Sequence, residues 1–578
     1  MMLLGSCLLF VFLFVGTLLG PGLLFVRRRG WLPLETLVAS IAMSLVLLYL
    51  VSFGCFVAGV LPTFSYAISA VAWGMTLWCW KEVRSLWRDS TVRTALTAFA
   101  ALCVWTLLVT ALVRHLGGGD WGHDWIEHFQ RAEYFLGQIP HDFRFVGMNL
   151  LPARLPLVNL LCAFYMTQVG SGNEIGFEQY QVISYLLNLL VFFPCCLFAL
   201  RFGGPARTKI WLLAGLLAFN PSVMQNLSFL WTKQLSAFFV VLCVHWYLRA
   251  MREKDGFRMI CAFLSLAAGF LAHHSAGLYI LFLAPHYLGV CFREQPRRWR
   301  ELATITVLCS GLLATWFGWS IATYGVDDTF GSNRVIVDYV VSTESGTDYS
   351  VIPRSIYHSI VPCLLRREPL GLLDQPSALG RIRDIAFDNY QLNLWPMTGS
   401  VGGLLIAYLL IRKRTRPSPE PAGRERWFWS LFIPFMIAVG VGGVFYAAPC
   451  GVAQLSLQPL AYLGLSFLAG RFFRLGRPLR FAALAGMCVD FAVGIHLHFT
   501  LQNHVFAARP ILGGISFENP PGLSTICLMN WWDKHTLGYV FLGDHLTLLV
   551  PWVRPLLVVL FVGWAVWAAR ASLEPPVS

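Results

Sequence analysis

Residues Gly117–Pro140 read GGGDWGHDWIEHFQRAEYFLGQIP, and hold Asp120, His123, Asp124, Glu127, His128, Arg131 and Glu133 in close succession. Acids, imidazoles and a guanidinium at this density can move protons, hold an anion or ligate a metal. A helix beginning at Asp124 puts Asp124, Glu127, His128 and Arg131 on one face through i, i+3, i+4, i+7 spacing. Trp125, Phe129, Ala132 and the Phe135–Leu136 pair fall on another. Lying on a membrane, such a helix presents a first-turn carboxylate to a polar group on a lipid. A solvated, salt-bridged surface helix would show the same spacing. Asp124 and His128, four apart, are also a reachable ligand pair for a divalent metal, and His123, His273 and His274 supply further imidazoles. Two ligands are few and no HExxH is present, so histidines hydrogen-bonded within a site account for the pattern as well.

The rest of the chain says where this cluster sits. Of 578 residues 57% are hydrophobic and 13% charged, against roughly 25% charged in an ordinary soluble protein. Apolar runs near twenty residues recur along the length, each able to span a hydrocarbon layer of about 30 Å. Lipid tolerates no unpaired backbone, so these runs are predicted helices, and alternating strand patterns are absent. The fold class expected is all-α, a polytopic transmembrane bundle of about 15 spans. The net charge of +13 does not point to nucleic acid. Lys and Arg cluster in short connectors, Arg27–Arg29, Lys81 to Arg93, Arg201 to Lys209, Arg249 to Arg258, Arg293 to Arg300, Arg412 to Arg426 and Arg471 to Arg480, the pattern of cytoplasmic loops. The 15 cysteines lie mainly in apolar runs without CxxC or zinc spacing. Residues 1–26, lacking a charged start and a cleavage site before Arg27, read as a retained first span.

Placing every basic connector inside leaves three long polar segments outside: 114–177, 324–396 and 501–545. The cluster is in the first. It is followed by Leu151–Gly170, moderately apolar, interrupted by Pro156 and suited to the membrane interface. The organisation expected is residues 1–93 as N-terminal helices, 94–325 as the core, 326–396 as an outer loop and 397–578 as C-terminal helices.

From Asp124 to Pro140, and again through Leu151-Pro-Ala-Arg-Leu-Pro-Leu157, the chain resembles the GT-C class of membrane glycosyltransferases, in particular the protein-mannosyl and lipid A aminoarabinosyl branch. The similarity continues through Asn220–Pro221, Trp231-Thr-Lys233 and His273-His274-Ser275, over about residues 94–325. The family's acidic pair is replaced by Asp-Trp, and the acidic loop follows the fourth predicted span instead of the first, which implies about three extra helices. Either Asp120 or Asp124 could be the equivalent acid. The resemblance implies transfer of a sugar from a polyisoprenyl phosphate to a hydroxyl on a lipid, glycan or protein, at the outer face of a cytoplasmic membrane. The leaving phosphate needs no acid, so a carboxylate base and cations suffice. Asp124, with Asp120 as alternative, is the expected base. Glu127, His128, Arg131, Arg144, Arg154, Lys233, His273 and His274 are the expected substrate contacts. Headgroup contact would equally occupy a single loop arginine. Lys233, at the end of an apolar span, is costly unless it snorkels or functions. A divalent metal is the one cofactor the residues could suit.

Two other readings fit parts of the chain. A glycan polymerase or ligase would lean on outer-loop arginines such as Arg366–Arg367 and Arg381–Arg383. A transporter would carry ionisable groups at mid-span and related halves, whereas here charges sit at span ends. The triplet Trp531–Trp532–Asp533 resembles the acceptor-binding WWD of oligosaccharyltransferases, but an interfacial aromatic belt explains it without that family's soluble domain.

Overall fold

The computed structural model describes residues 2–114, 116, 124–137, 139–145, 149–170, 176–294, 297–332, 350–366, 378–414, 420–442, 451, 453, 456–497 and 538–573. Asp120, His123, Arg367 and Trp531–Trp532–Asp533 lie outside them, as does the side chain of Arg381. The N-terminal helices are α1 (Met2–Val26), α2 (Pro33–Val57), α3 (Leu61–Trp78), α4 (Trp80–Arg88) and α5 (Ser90–Thr110). Then come α6 (Asp124–Phe135), α7 (Leu157–Val169), α8 (Phe177–Leu189), α9 (Phe192–Leu200), α10 (Ala206–Ala218), α11 (Pro221–Ser228) and α12 (Lys233–Glu253). α13 (Gly256–Ala272), α14 (Gly277–Glu294), α15 (Arg297–Gly331), α16 (Val351–Ile360), α17 (Ala378–Leu392) and α18 (Leu394–Met397) follow. The chain closes with α19 (Gly402–Arg414), α20 (Glu420–Gly442), α21 (Gln458–Arg471), α22 (Arg477–His496), α23 (Leu542–His545) and α24 (Val550–Leu573). Among the described residues there is no strand, only an isolated bridge between Phe145 and Asn149.

Nine helices among the described residues are long and apolar enough to cross a membrane, or ten if the bent pair α10–α11 counts as one span. The chain is an integral multi-pass membrane protein. The described parts of the remaining runs expected to span, 64–80, 210–225, 259–272, 397–411, 427–448 and 454–470, form helices that are short, bent or less apolar. The α10–α11 pair bends by 64° at Asn220–Pro221. Pro221 cannot continue the first helix and starts the second, while the Asn220 carboxamide accepts from the Ser222 amide at 2.8 Å and donates to the Met397 carbonyl at 2.9 Å.

α1 packs along α2 and α3 at distances that need small residues. A Cβ on Gly22 would lie 2.0 Å from the Ser40 carbonyl oxygen, so only glycine lets the two backbones approach so closely. These helices cover α7, where Tyr165 and Thr17 share a 2.6 Å hydroxyl contact. The run expected at the interface is therefore enclosed by protein: every residue of α7 except Thr167 is buried. Its uniform hydrophobicity, with no polar face, fits a core helix.

Contacts sort the polar segments into two ends. Arg27 meets Glu82, Arg249 and Arg258 meet Glu35, Arg201 meets Glu425, Arg474 meets the Phe202 carbonyl and Arg477 the Leu573 carbonyl. The basic connectors thus share one end. At the other, the described parts of the three long polar segments meet: Tyr134 bonds Tyr324 at 3.0 Å, Trp125 packs on Phe541 and Trp231 on Phe387.

Candidate functional site

α6 is held by both faces. Trp125 and Phe129 stack edge-on against Phe177, Tyr539 and, for Trp125, Phe541. The opposite face carries Glu127, His128 and Arg131, which are 2%, 4% and 0% exposed. The shared face inferred from spacing is real, but protein covers it, so it is no solvated surface.

Burying these charges requires partners. Arg131 donates to one Glu127 oxygen at 2.7 and 3.3 Å. It also donates to the carbonyls of Leu150, at 3.1 Å, and Leu151, and lies over the Phe145 ring. Arg154 donates to the other Glu127 oxygen at 3.3 and 3.2 Å. Burial works against charge on Glu127, but Arg154 and Arg131 outweigh it and hold the carboxyl at about 2. Burial brings His128 down to about 4 despite Glu127 beside it, so the imidazole is neutral at pH 7. It sits 3.5 Å from the Asn159 carboxamide.

The Pro-rich text after α6 makes a 3-10 turn, Leu151–Ala153, which Arg131 pins through two carbonyls. Beyond it Arg154 is extended and reaches back to Asp124 at 3.3 Å as well as Glu127. Glu127 strengthens the Arg154 charge most, ahead of Asp124. His274 approaches the Ala153 carbonyl at 3.4 Å, and the neighbouring His273 ring bonds Ser275 at 2.9 Å.

Asp124 receives a second donor from far along the chain: Trp231 Nε1 bonds its Oδ2 at 2.9 Å. Trp231 stands on the reversal between α11 and α12, where buried Leu230 is left-handed at φ +57°. A bulky residue keeps that conformation only where its surroundings enforce it. Below the turn Gln458 bonds Asn226 at 2.7 Å, Asn226 bonds Gln391 at 3.4 Å and Gln234 bonds Tyr462 at 2.7 Å, a polar seam that locks it. The reversal also delivers Lys233, its Nζ 4.4 Å from the Trp231 ring centroid and close enough to Asp124 and Arg154 to feel both charges.

Asp124, Glu127, His128, Arg131, Arg154, Lys233, His273 and His274 therefore gather in one place. Arg144 is exposed on the segment after α6, and the hydrogen bonds described for Asp124, Glu127 and Arg131 go elsewhere. Asp124 and Arg154 differ from the buried pair in keeping 21% and 24% side-chain exposure. Among the described residues no three His, Cys, Asp or Glu groups come together as metal ligands. Asp124 faces Arg154 and Trp231 while His128 faces Asn159. Of the loop arginines, Arg366 and Arg383 are buried, and Arg366 donates to the His358 carbonyl at 3.1 Å. Trp231 appears in the sequence only as part of the Trp231-Thr-Lys233 resemblance, and spacing gives no sign of its bond to Asp124 or of the seam behind it.

Fold and site together define a polytopic helical membrane protein with a partly open carboxylate–cation cluster at one end. Among solved structures, the chain is similar to the crystal structure of ArnT from Cupriavidus metallidurans bound to undecaprenyl phosphate (16% identity, 83% of this chain and 76% of that one, TM-score 0.44). It is also similar to the arabinosyltransferase EmbB from Mycobacterium smegmatis (14% identity, 87% of this chain and 44% of that one, TM-score 0.33). No known family model matches the sequence, nor does any curated protein.

Proposed function

We propose that the protein is a membrane glycosyltransferase that moves a sugar from a polyisoprenyl-phosphate donor to an acceptor hydroxyl on the extracytoplasmic face of the cytoplasmic membrane. One observation carries the reading: Asp124, partly open to solvent, sits between Arg154 and Trp231 beside Lys233. Two carboxylates face three cations, an excess of positive charge that suits a phosphate. Glu127 is spent on two arginines, which leaves Asp124 as the base. Its oxygens accept one bond each from Arg154 and Trp231, and a carboxylate has about four lone-pair sites, so room remains for an acceptor hydroxyl.

The acceptor oxygen bonds to the anomeric carbon as the bond from that carbon to the phosphate oxygen breaks. The acceptor proton goes to Asp124 and the electron pair leaves on the phosphate. Arg154 can turn to that phosphate from Asp124 while Glu127 still holds it, which frees the Asp124 carboxylate for the proton. Lys233 supplies the second positive charge. Glu127 and Arg131 act as positioning residues, and His128, neutral at pH 7, stands beside them with His273 and His274 close by.

Binding of polyisoprenyl monophosphate to the purified full chain tests this. Arg154→Gln and Lys233→Met are each expected to weaken it about tenfold, the loss of one charge-assisted hydrogen bond, while Asp124→Asn leaves it intact. Unchanged binding by both cation variants would overturn the assignment.

A further inference from the structure

The basic end of the bundle holds a second candidate site. An open groove of about 540 Å³ lies between the first turns of α5 and α10, lined by Ser90, Thr91, Arg93, Thr94 and Thr97 on one side and Ala206, Arg207 and Trp211 on the other. Ser90, Arg93, Thr94 and Thr97 fall on one stripe of α5 at helical spacing, and Arg207 and Trp211 are one turn apart on α10. Several arginines at this end are spent on protein partners, among them Arg27 on Glu82, Arg201 on Glu425 and Arg258 on Glu35. Arg93 and Arg207 are exposed and, among the described residues, have no ion-pair partner. Thr94 and Thr97 donate to carbonyls of their own helix, whereas no hydrogen bond of the Ser90 or Thr91 hydroxyl is described. The nearest acid on the helix, Asp89, accepts from the Val92 amide at 2.9 Å. Two cations and two available hydroxyls around one groove make an anion site.

What lies above the groove chooses the anion. The α5 stripe continues through exposed Ala101 and Val104, the latter 54% exposed, on a helix apolar enough to cross a membrane. Trp211 lines the groove, and tryptophan favours the boundary between headgroups and chains. A ligand matching this surface has a phosphate at one end and hydrocarbon at the other. We propose that the groove binds the headgroup of an anionic membrane phospholipid, with Arg93 and Arg207 on the phosphate and an acyl chain along Ala101 and Val104. The site is at the opposite end from Asp124 and does not depend on the reaction proposed there.

The test is titration of the full chain, in a neutral detergent, with short-chain phosphatidylglycerol, followed by native mass spectrometry. Arg93→Gln/Arg207→Gln is expected to weaken binding roughly 25-fold, about fivefold for each basic residue at a lipid surface. Each single variant should fall between, and the double lysine replacement should retain binding. Arg84→Gln removes an exposed cation from the same end and should change nothing. Equal affinity in the wild type, the double glutamine variant and Arg84→Gln would overturn the proposal. Displacement of the lipid by equimolar inorganic phosphate would overturn it too, since the groove would then serve a soluble anion.

Discussion

Replacing Glu127 by glutamine separates the part of the cluster that holds the fold from the part that does chemistry. The carboxylate accepts four guanidinium hydrogen bonds, two from Arg131 at 2.7 and 3.3 Å and two from Arg154 at 3.3 and 3.2 Å, with Asn149 at 3.4 Å. Its pKa of about 2, against an ordinary 4.5, means the surroundings favour the ionised form by about 3 kcal/mol. Removing one member of a buried ion pair costs about 3–5 kcal/mol by the same physics, because Arg131 would stay buried without its counter-charge. Glu127→Gln should therefore lower the unfolding free energy of the full chain in detergent by that amount. The sign with pH follows from the depressed folded value: the contribution is present above the unfolded pKa and is lost as pH falls from 4.5 towards about 2. The glutamine variant should lack that acid slope. The paired change Glu127→Leu/Arg131→Met should return much of the lost stability, since the fully buried charge is gone and Arg154, 24% exposed, keeps Asp124 as its partner. A variant within about 1 kcal/mol of wild type, with the same acid slope, would refute the reasoning.

Trp231→Phe removes the indole donor to Asp124 and should lower kcat by about tenfold or more with little change in KM, which steady-state kinetics would separate. His128 takes no proton in the native state until about pH 4, while an unfolded imidazole binds one near its ordinary 6.5. Stability should accordingly fall as pH drops from 6.5 to 4, by about 3 kcal/mol in all. His128→Gln should flatten that slope in melting curves taken across the window. At the other end, Glu35→Gln removes a buried carboxylate that meets Arg249 and Arg258 at 2.5 and 2.8 Å, while Glu253 keeps both arginines paired and Asp255 adds a second acid to Arg258. It should destabilise the chain by about 1–3 kcal/mol, the loss of hydrogen bonds to charged groups, in unfolding assays while leaving turnover per folded molecule unchanged.

The chain's own pattern made the helix at Asp124 legible, with its shared charged face and the i, i+4 pairing of Glu127 and Arg131. The basic connectors also announced a common end, and the structure joins them there through ion pairs and carbonyl contacts. What spacing could not supply was the cover over that face. Helical periodicity says which residues lie together, whereas burial depends on partners brought by the fold, such as Asn149, Leu150 and Asn159. α7 shows the same limit: its apolar run suited an interface until α1 and α2 enclosed it. Trp231 was out of reach because it meets Asp124 from 107 positions away, across a reversal that rests on one left-handed leucine. Among the described residues fewer than fifteen helices are full-length spans for a related reason, since the kink at Pro221 and the shortness of helices such as α13 do not appear in a hydropathy window.

The most direct test of the central claim is transfer itself. Purified wild type and Asp124→Asn would be incubated with a labelled polyisoprenyl-phosphate sugar and membrane-derived acceptors, and release of the lipid phosphate measured over time. Asparagine keeps the shape of a side chain that is partly exposed, so the variant should fold normally. It cannot take the acceptor proton, and the rate should fall by about 10²–10⁴. A folded Asp124→Asn variant that transfers at the wild-type rate would contradict the account.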